Sequence, residues 1–331
     1  MNLLNNAWYK NARWVRCLRP LSAIFGLVSS LRRNYYRNPD KAYNAKYPVI
    51  VVGNITAGGT GKTPLVIFIA QQLRLRGYSP GIVSRGYGSR AASYPFAVTP
   101  QSSFREAGEE PLMIARHTHC PVIIDPDRGA AVKMLETRYD CDIIISDDGL
   151  QHYRLNRNIE IAVVDGQRGF GNGLLLPAGP LREKPERLGD VDFIVCNGPA
   201  QLELPGHSYE MNLDATHLVH LIDKKSLAIS DDALQRIKNK KVHAVAGIGN
   251  PERFFNSLCT SGFDIITHIF RDHHFFSKQD ITFADQLDVV MTEKDATKCR
   301  DIASDKHWFL KVAARLPDEF MDKLIEKLAA L

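Results

Sequence analysis

Residues 49–63 read Val49-Ile50-Val51-Val52-Gly53-Asn54-Ile55-Thr56-Ala57-Gly58-Gly59-Thr60-Gly61-Lys62-Thr63. Four apolar residues in a row predict a buried strand. The glycines predict a turn, and Gly61-Lys62-Thr63 opens a helix over 63–76 that stops near Gly77. That order builds a phosphate cradle. Backbone N–H groups of Thr56, Ala57, Gly58, Gly59, Thr60, Gly61 and Lys62 face an anion, the Lys62 ammonium reaches the terminal phosphates, and the Thr63 hydroxyl is placed to bind Mg²⁺. Thr56 stands where the usual pattern has glycine, and Gly58 and Gly59 supply the bend instead. A chance glycine cluster is the alternative, and the apolar runs on both sides argue against it. Pro64 suits a first helical turn, where its missing N–H costs nothing.

Outward from this loop the pattern alternates. Strands are expected at 80–84, 121–125, 141–146, 159–164 and 191–196, with helices at 109–116 and 127–138. Strands that are apolar throughout, separated by helices, predict a mostly parallel α/β sheet covered on both faces, with ligands at the carboxyl ends of its strands. The pattern changes around 201–230, where 207–213 and 217–221 look like short bridging strands. Strands at 242–246, 264–270, 288–292 and 308–312 follow, with helices at 252–259 and 317–331. The expected organisation is a helical arm (1–40), a phosphate-loop domain (41–205), a β linker (206–230) and a smaller α/β domain (231–331). The C-terminal helix has the option of returning to the large domain.

The 331 residues carry a net charge of +5. Residues 1–41 hold eight Lys/Arg and one acid, while the remainder holds 34 basic and 36 acidic side chains. The body is therefore slightly acidic, which excludes a nucleic-acid-binding surface of the usual basic kind. Six cysteines are scattered without a Cys-x-x-Cys spacing, which suits a reducing compartment and argues against a zinc ribbon or a disulfide framework. A monomer is the expectation.

In the basic arm, Leu4, Trp8, Ala12, Val15 and Leu18 recur at helical spacing, and Pro20 is expected to interrupt the helix. A second stripe follows at Leu21, Ile24, Phe25, Val28 and Leu31, closed by Arg32-Arg33 and Tyr35-Tyr36-Arg37. The uncharged run 20–31 is shorter than the ~20 residues a bilayer span needs. Residues 1–37 read as an interfacial helix on an anionic membrane surface, or as an amphipathic helix packed on the protein's own core.

Several segments carry chemistry. Ile143-Ile144-Ile145-Ser146-Asp147-Asp148-Gly149 is an apolar strand ending in two carboxylates, which in a phosphate-loop protein hold Mg²⁺. Gly108-Glu109-Glu110-Pro111 opens a helix, and its acids either cap that helix or reach the nucleotide. Asp272-His273-His274-Phe275 pairs a carboxylate with imidazoles that can take a proton near neutral pH, or holds ordinary surface histidines. Gly247-Ile248-Gly249-Asn250-Pro251 lacks the third glycine of a dinucleotide fingerprint and reads as a tight strand–helix turn.

Taken together, 52–64, Ser84-Arg85-Gly86-Tyr87-Gly88, Asp147-Asp148-Gly149-Leu150-Gln151-His152, Leu176-Pro177-Ala178-Gly179-Pro180-Leu181-Arg182-Glu183 and Asp272-His273-His274 resemble the tetraacyldisaccharide 4′-kinase family of Gram-negative bacteria. The trailing Pro64 and the missing first glycine also fit that family. The resemblance implies a peripheral or monotopic enzyme on the cytoplasmic face of the inner membrane. It would use ATP and Mg²⁺ to phosphorylate the 4′-hydroxyl of a tetraacylated glucosamine disaccharide 1-phosphate, a lipid A precursor. It implies Glu109 as the base with His273 beside it, and Lys62 and Asp148 at the transferring phosphate. Thr63, Asp147, Asp148 and Glu110 are its metal candidates. Asn54, Arg85, Gln151, His152, Arg182 and His274 are its candidates on the acceptor side. The first acid of the family's Gly-Asp-Glu-Pro motif is Asp where this chain has Glu109, which keeps the carboxylate on a stem one methylene longer. A phosphate-loop GTPase, ATPase switch or metal chaperone at the membrane surface is the rival reading. Thr292-Glu293-Lys294-Asp295 resembles a guanine motif superficially, but no residue separates Lys294 from Asp295 as Lys-x-Asp requires.

Overall fold

The structure is a computed structural model that describes residues 3–10, 12–230, 237 and 241–331. Residues 1, 2 and 11 of the expected arm and the domain boundary expected at 231 lie outside the described residues. Two compact units divide the chain. The larger is Leu3–Asn212 with Ala314–Leu331, and the smaller contains Leu213–Ala313.

The larger unit is built on β1 (Val49–Gly53), β2 (Pro80–Ser84), β3 (Phe96–Val98), β4 (Val122–Ile124), β5 (Ile143–Asp147), β6 (Ile159–Asp165), β7 (Phe193–Asn197) and the first part of β8 (Ser208–His220). Their order is β8-β7-β6-β1-β5-β2-β4-β3. Every pairing is parallel except the edge pair β3–β4. β1 and β5 are buried along their whole length, as strands flanked by strands and covered by helices must be. The register sets Val52 opposite Asp147, so the glycine-rich loop after β1 and the acids ending β5 emerge side by side.

The N-terminal segment differs from the expected reading. α1 (Leu3–Tyr9) gives way to a 3₁₀ turn (Arg13–Leu18), and α2 (Arg19–Tyr35) begins at the proline expected to break it. Pro20 occupies the first helical turn, where no intrahelical N–H is required. The two apolar stripes also part company. Ala7, Trp8 and Val15 are buried against Ala57 and Leu176, whereas Leu21, Ile24, Leu27, Val28, Leu31 and Tyr35 of α2 are each more than half exposed.

Around the sheet lie α3 (Lys62–Leu75), α4 (Phe104–Ala107), α5 (Glu109–Thr118) and α6 (Arg128–Arg138). α4 was not expected from the apolar pattern. It is nucleated locally by a capping box in which Ser103 and Glu106 satisfy each other's backbone N–H.

In the smaller unit the remainder of β8, which is one long strand and not two short ones, pairs with β9 (Ser226–Ala228). β10 (Lys241–Ala246), β11 (Asp264–Ile269), β12 (Val289–Thr292) and β13 (His307–Arg315) run in the parallel order β11-β10-β12-β13. α7 (Pro251–Thr260) and α8 (Glu293–Cys299) connect them. The last helix, α9 (Asp318–Ala329), belongs to the larger unit, where Phe320 packs edge-on against Phe193 and Tyr209 and Lys327 pairs with Asp192 at 2.7 Å.

Candidate active site

β1 is followed by Asn54, fully buried, whose amide donates to Thr56 O at 2.8 Å and whose Oδ1 accepts from Lys62 Nζ at 3.2 Å. Thr56 pairs with Leu181 as an isolated bridge, and the Ala57 N–H donates to Pro180 O at 2.7 Å. The first half of the loop is thus tied to the Pro180-Leu181 segment, and the Ala57 N–H is already engaged. The second half turns through Gly61 at φ +96, an L-side-chain-averse conformation. A Cβ there would also fall 2.3 Å from Asn197 Nδ2. Asn197, at the end of β7, donates to Thr60 O at 2.8 Å, and Arg168 donates to Gly59 O.

The acids of β5 have opposite electrostatics. Asp148 sits at φ +47 and accepts both from Arg182 (3.1 and 3.2 Å) and from the charge of Lys62 (3.4 Å). Burial would raise its pKa, but Lys62 and Arg182 outweigh burial and hold it at about 2. Asp147 is buried and bonded to Ser84 Oγ at 3.0 Å. Burial, then the neighbouring Glu110 and Asp148, push its pKa up to about 7.

Beneath the pair lies Arg128, 2% exposed, donating to Asp147 O at 3.0 Å, its guanidinium pKa lowered to about 10 by burial. The sequence reading missed Arg128, Ser84, Asn197 and Arg168. Only position marks them in the chain: Ser84 and Asn197 end strands, Arg128 opens α6, and Arg168 lies in the turn after β6.

Asp147 Oδ1 is buried and has no hydrogen-bond partner among the described residues, and Glu110 is near enough to act on its charge. An orphaned buried carboxylate oxygen with further acids near enough to act on its charge fits a hard divalent cation. Among the described residues no group of three or more His, Cys, Asp or Glu side chains could hold a metal by itself.

Glu109 and Glu110 form the first turn of α5 and are half-buried. Of the acceptor-side candidates, Arg85 is exposed. Arg182 is occupied by Asp148 and by Gln151 Oε1 at 3.3 Å, and Gln151 also donates to Asn54 O and Glu183. His152 is half-buried, and burial, then Arg128 and Arg157, lower its pKa to about 3, so it is neutral at physiological pH.

In the smaller unit, Asp272-His273-His274 follows β11. His273 has φ +60 and its Nε2 lies 3.8 Å from Asp272. His274 bonds Asp280 at 3.2 Å and stacks on Phe270 at 4.8 Å between ring centres.

A parallel α/β sheet with a glycine-rich loop and lysine at the end of a central strand, and paired acids on the adjoining strand, is the arrangement of a nucleotide-binding α/β protein. A family model described as tetraacyldisaccharide-1-P 4′-kinase matches residues 14–329. The tetraacyldisaccharide 4′-kinase of Aeromonas salmonicida (strain A449) is 44% identical over 335 residues, covering 99% of this chain and 97% of its own. That of Shewanella denitrificans (strain OS217) is 46% identical over 334 residues, with the same coverage. The chain belongs to the tetraacyldisaccharide 4′-kinase family. Among solved structures it is similar to LpxK from Aquifex aeolicus in complex with ATP, with a TM-score of 0.78, 26% identity, and coverage of 95% and 99% of the two chains.

Proposed function

We propose that this chain transfers the γ-phosphoryl group of MgATP to the 4′-hydroxyl of a tetraacylated glucosamine disaccharide 1-phosphate. The observation that carries the reading is Lys62, held between Asn54 and Asp148 at the mouth of a glycine-rich loop, in a chain of this family. Lys62 and the N–H groups of 58–63 bind and orient the triphosphate, as positioning and electrostatics supply most of the rate in such transfers. Asp147, Asp148, Glu110 and Thr63 would hold Mg²⁺, which when bound neutralises the β and γ phosphates. Asp148 is ionised at all working pH values, and Arg182 fixes its direction. Glu109 accepts the proton of the sugar hydroxyl, and His273 supports it in that role. Arg85, exposed beside the loop after β2, is the stronger of the two arginine candidates for the acceptor's 1-phosphate, because Arg182 already carries Asp148.

The arm supports work at the cytoplasmic face of the inner membrane, as a peripheral or monotopic protein. α2 exposes a continuous apolar stripe between Arg19 and Arg32-Arg33, which suits the boundary of an anionic bilayer. No helix among the described residues is long and apolar enough to cross a membrane. We assign residues 1–40 to this arm, the larger unit to nucleotide binding, and a monomer to the working form.

Transfer of labelled γ-phosphate to the tetraacyldisaccharide 1-phosphate, with GTP run beside ATP, tests the reading. Nucleotide hydrolysis without labelled lipid, or a preference for GTP, would favour a membrane-surface switch instead.

A further inference from the structure

Two motifs in the smaller unit have no part in the function above: the turn at 247–251 and the Thr292-Glu293-Lys294-Asp295 stretch. They meet. Asp295, in the first turn of α8, is fully buried. Its Oδ2 accepts from the Gly247 N–H at 2.8 Å and from Thr292 Oγ1 at 2.7 Å, and its Oδ1 pairs with Lys298 Nζ at 2.8 Å. A Cβ on Gly247 would lie 3.1 Å from that carboxylate and 3.2 Å from Arg271 O, so the turn must approach closely. Lys298 Nζ in turn lies 5.1 Å from the ring centre of Phe276, which packs edge-on against Phe270 and His274. From the same helix Lys294 Nζ reaches Asp272 at 3.4 Å.

A lysine–carboxylate pair with almost no exposure is a poor source of net stability, because desolvation offsets most of its attraction. Its demonstrable effect here is geometric. One seven-residue helix grips the ends of β10 and β12 and both ends of the loop 271–276, at the carboxyl edge of parallel strands where ligands bind. We infer that α8 is the positioning element for this loop: Lys294 holds Asp272, and the Asp295–Lys298 pair fixes the Gly247 turn and Phe276, so that His273 keeps its left-handed backbone and is presented in one orientation.

This inference rests on the proposed part of His273 in phosphoryl transfer, and the experiment separates the two. Lys294→Met and Lys298→Met are made in the full chain, alone and with His273→Ala. Lys294 sits at the rim of the helix and provides a variant that folds if Lys298→Met does not. Hydrogen exchange of peptides spanning 270–276 should quicken in both variants. Lys294→Met should lower kcat about tenfold, with KM for ATP and for the tetraacyldisaccharide 1-phosphate unchanged, and Lys294→Arg should restore most of it. In the His273→Ala background Lys294→Met should cost nothing further. Unchanged exchange at 270–276, or a kcat loss that persists in full without His273, overturns the inference. Wild-type kcat in His273→Ala alone would instead remove the proposed role of His273, leaving the exchange result to decide what α8 does.

Discussion

Replacing Asp147 with Asn should stabilise the metal-free protein at alkaline pH and leave it unchanged in acid. Asp147 is 1% exposed, and its pKa rises from the ordinary 3.8 to about 7 through burial and the charges of Glu110 and Asp148. A folded-state pKa above the unfolded value means that the native state binds the proton more tightly. Stability from this group is therefore complete below about pH 4, falls as pH rises, and is lost once pH passes about 7. The interval corresponds to about 4 kcal/mol at ~1.4 kcal/mol per pH unit. At roughly 2–4 °C per kcal/mol for a unit of this size, the substitution should raise Tm by about 8–16 °C at pH 8.5 in EDTA. At pH 4.5 it should change little, because the native carboxyl is already neutral there. Mg²⁺ added at pH 8.5 should raise the wild-type Tm and leave the variant's unmoved. Scanning calorimetry or dye-based melting at the two pH values reads this directly. An equal Tm difference at both pH values, or none at pH 8.5, would refute the reasoning.

Lys62→Ala should abolish labelled phosphate transfer to the lipid by at least about a thousandfold while circular dichroism stays unchanged. Undiminished transfer would remove the central reading. Glu109→Gln should lower kcat by about 10²–10⁴-fold with KM for ATP preserved, as expected for loss of a general base, and an unchanged kcat would assign that work elsewhere. A triple variant carrying Ile24→Glu, Leu27→Glu and Leu31→Glu should lose at least about tenfold in sedimentation with anionic vesicles and keep its Tm, since these side chains already face solvent. Full retention on vesicles would show that α2 is not the membrane contact.

Periodicity and glycine placement were enough to read the parallel sheet, the loop at 56–63 and the acids after β5, because each is a local pattern with a short-range cause. What escaped was long-range. Arg128 looks like an ordinary first-turn arginine until the fold buries it under Asp147 O, and Asn197 looks like a turn residue until it fills the space beside Gly61. Pro20 illustrates a local rule with two outcomes: a proline halts a helix from within and starts one from its first turn, and only the 3₁₀ geometry of Arg13–Leu18 decides which. The arm's two stripes share one spacing, yet one meets Ala57 and Leu176 and the other meets solvent. Spacing states that a face is apolar, and the partner determines whether it is core.

The segment 175–182 links these parts within the larger unit. On one side it receives the arm: Trp8 Nε1 donates to Pro177 O at 3.0 Å, and Ser22 Oγ donates to Leu175 O at 2.8 Å while accepting from the Ala178 N–H at 3.0 Å. On the other side it holds the loop through Pro180 O and Leu181, and Arg182 donates to Asp148 while its N–H donates to Ile55 O at 2.7 Å. Eight residues thus carry both α2, with its exposed apolar stripe, and the glycine-rich loop after β1. Ser22 makes three polar contacts with nearly no exposure, so α2 cannot roll its apolar stripe inward without orphaning the Ala178 N–H, at about 1–3 kcal/mol for a buried unpaired donor, and without losing the hydroxyl's bond to Leu175 O. The stripe therefore stays outward for a structural reason, set by the same segment that holds the loop after β1.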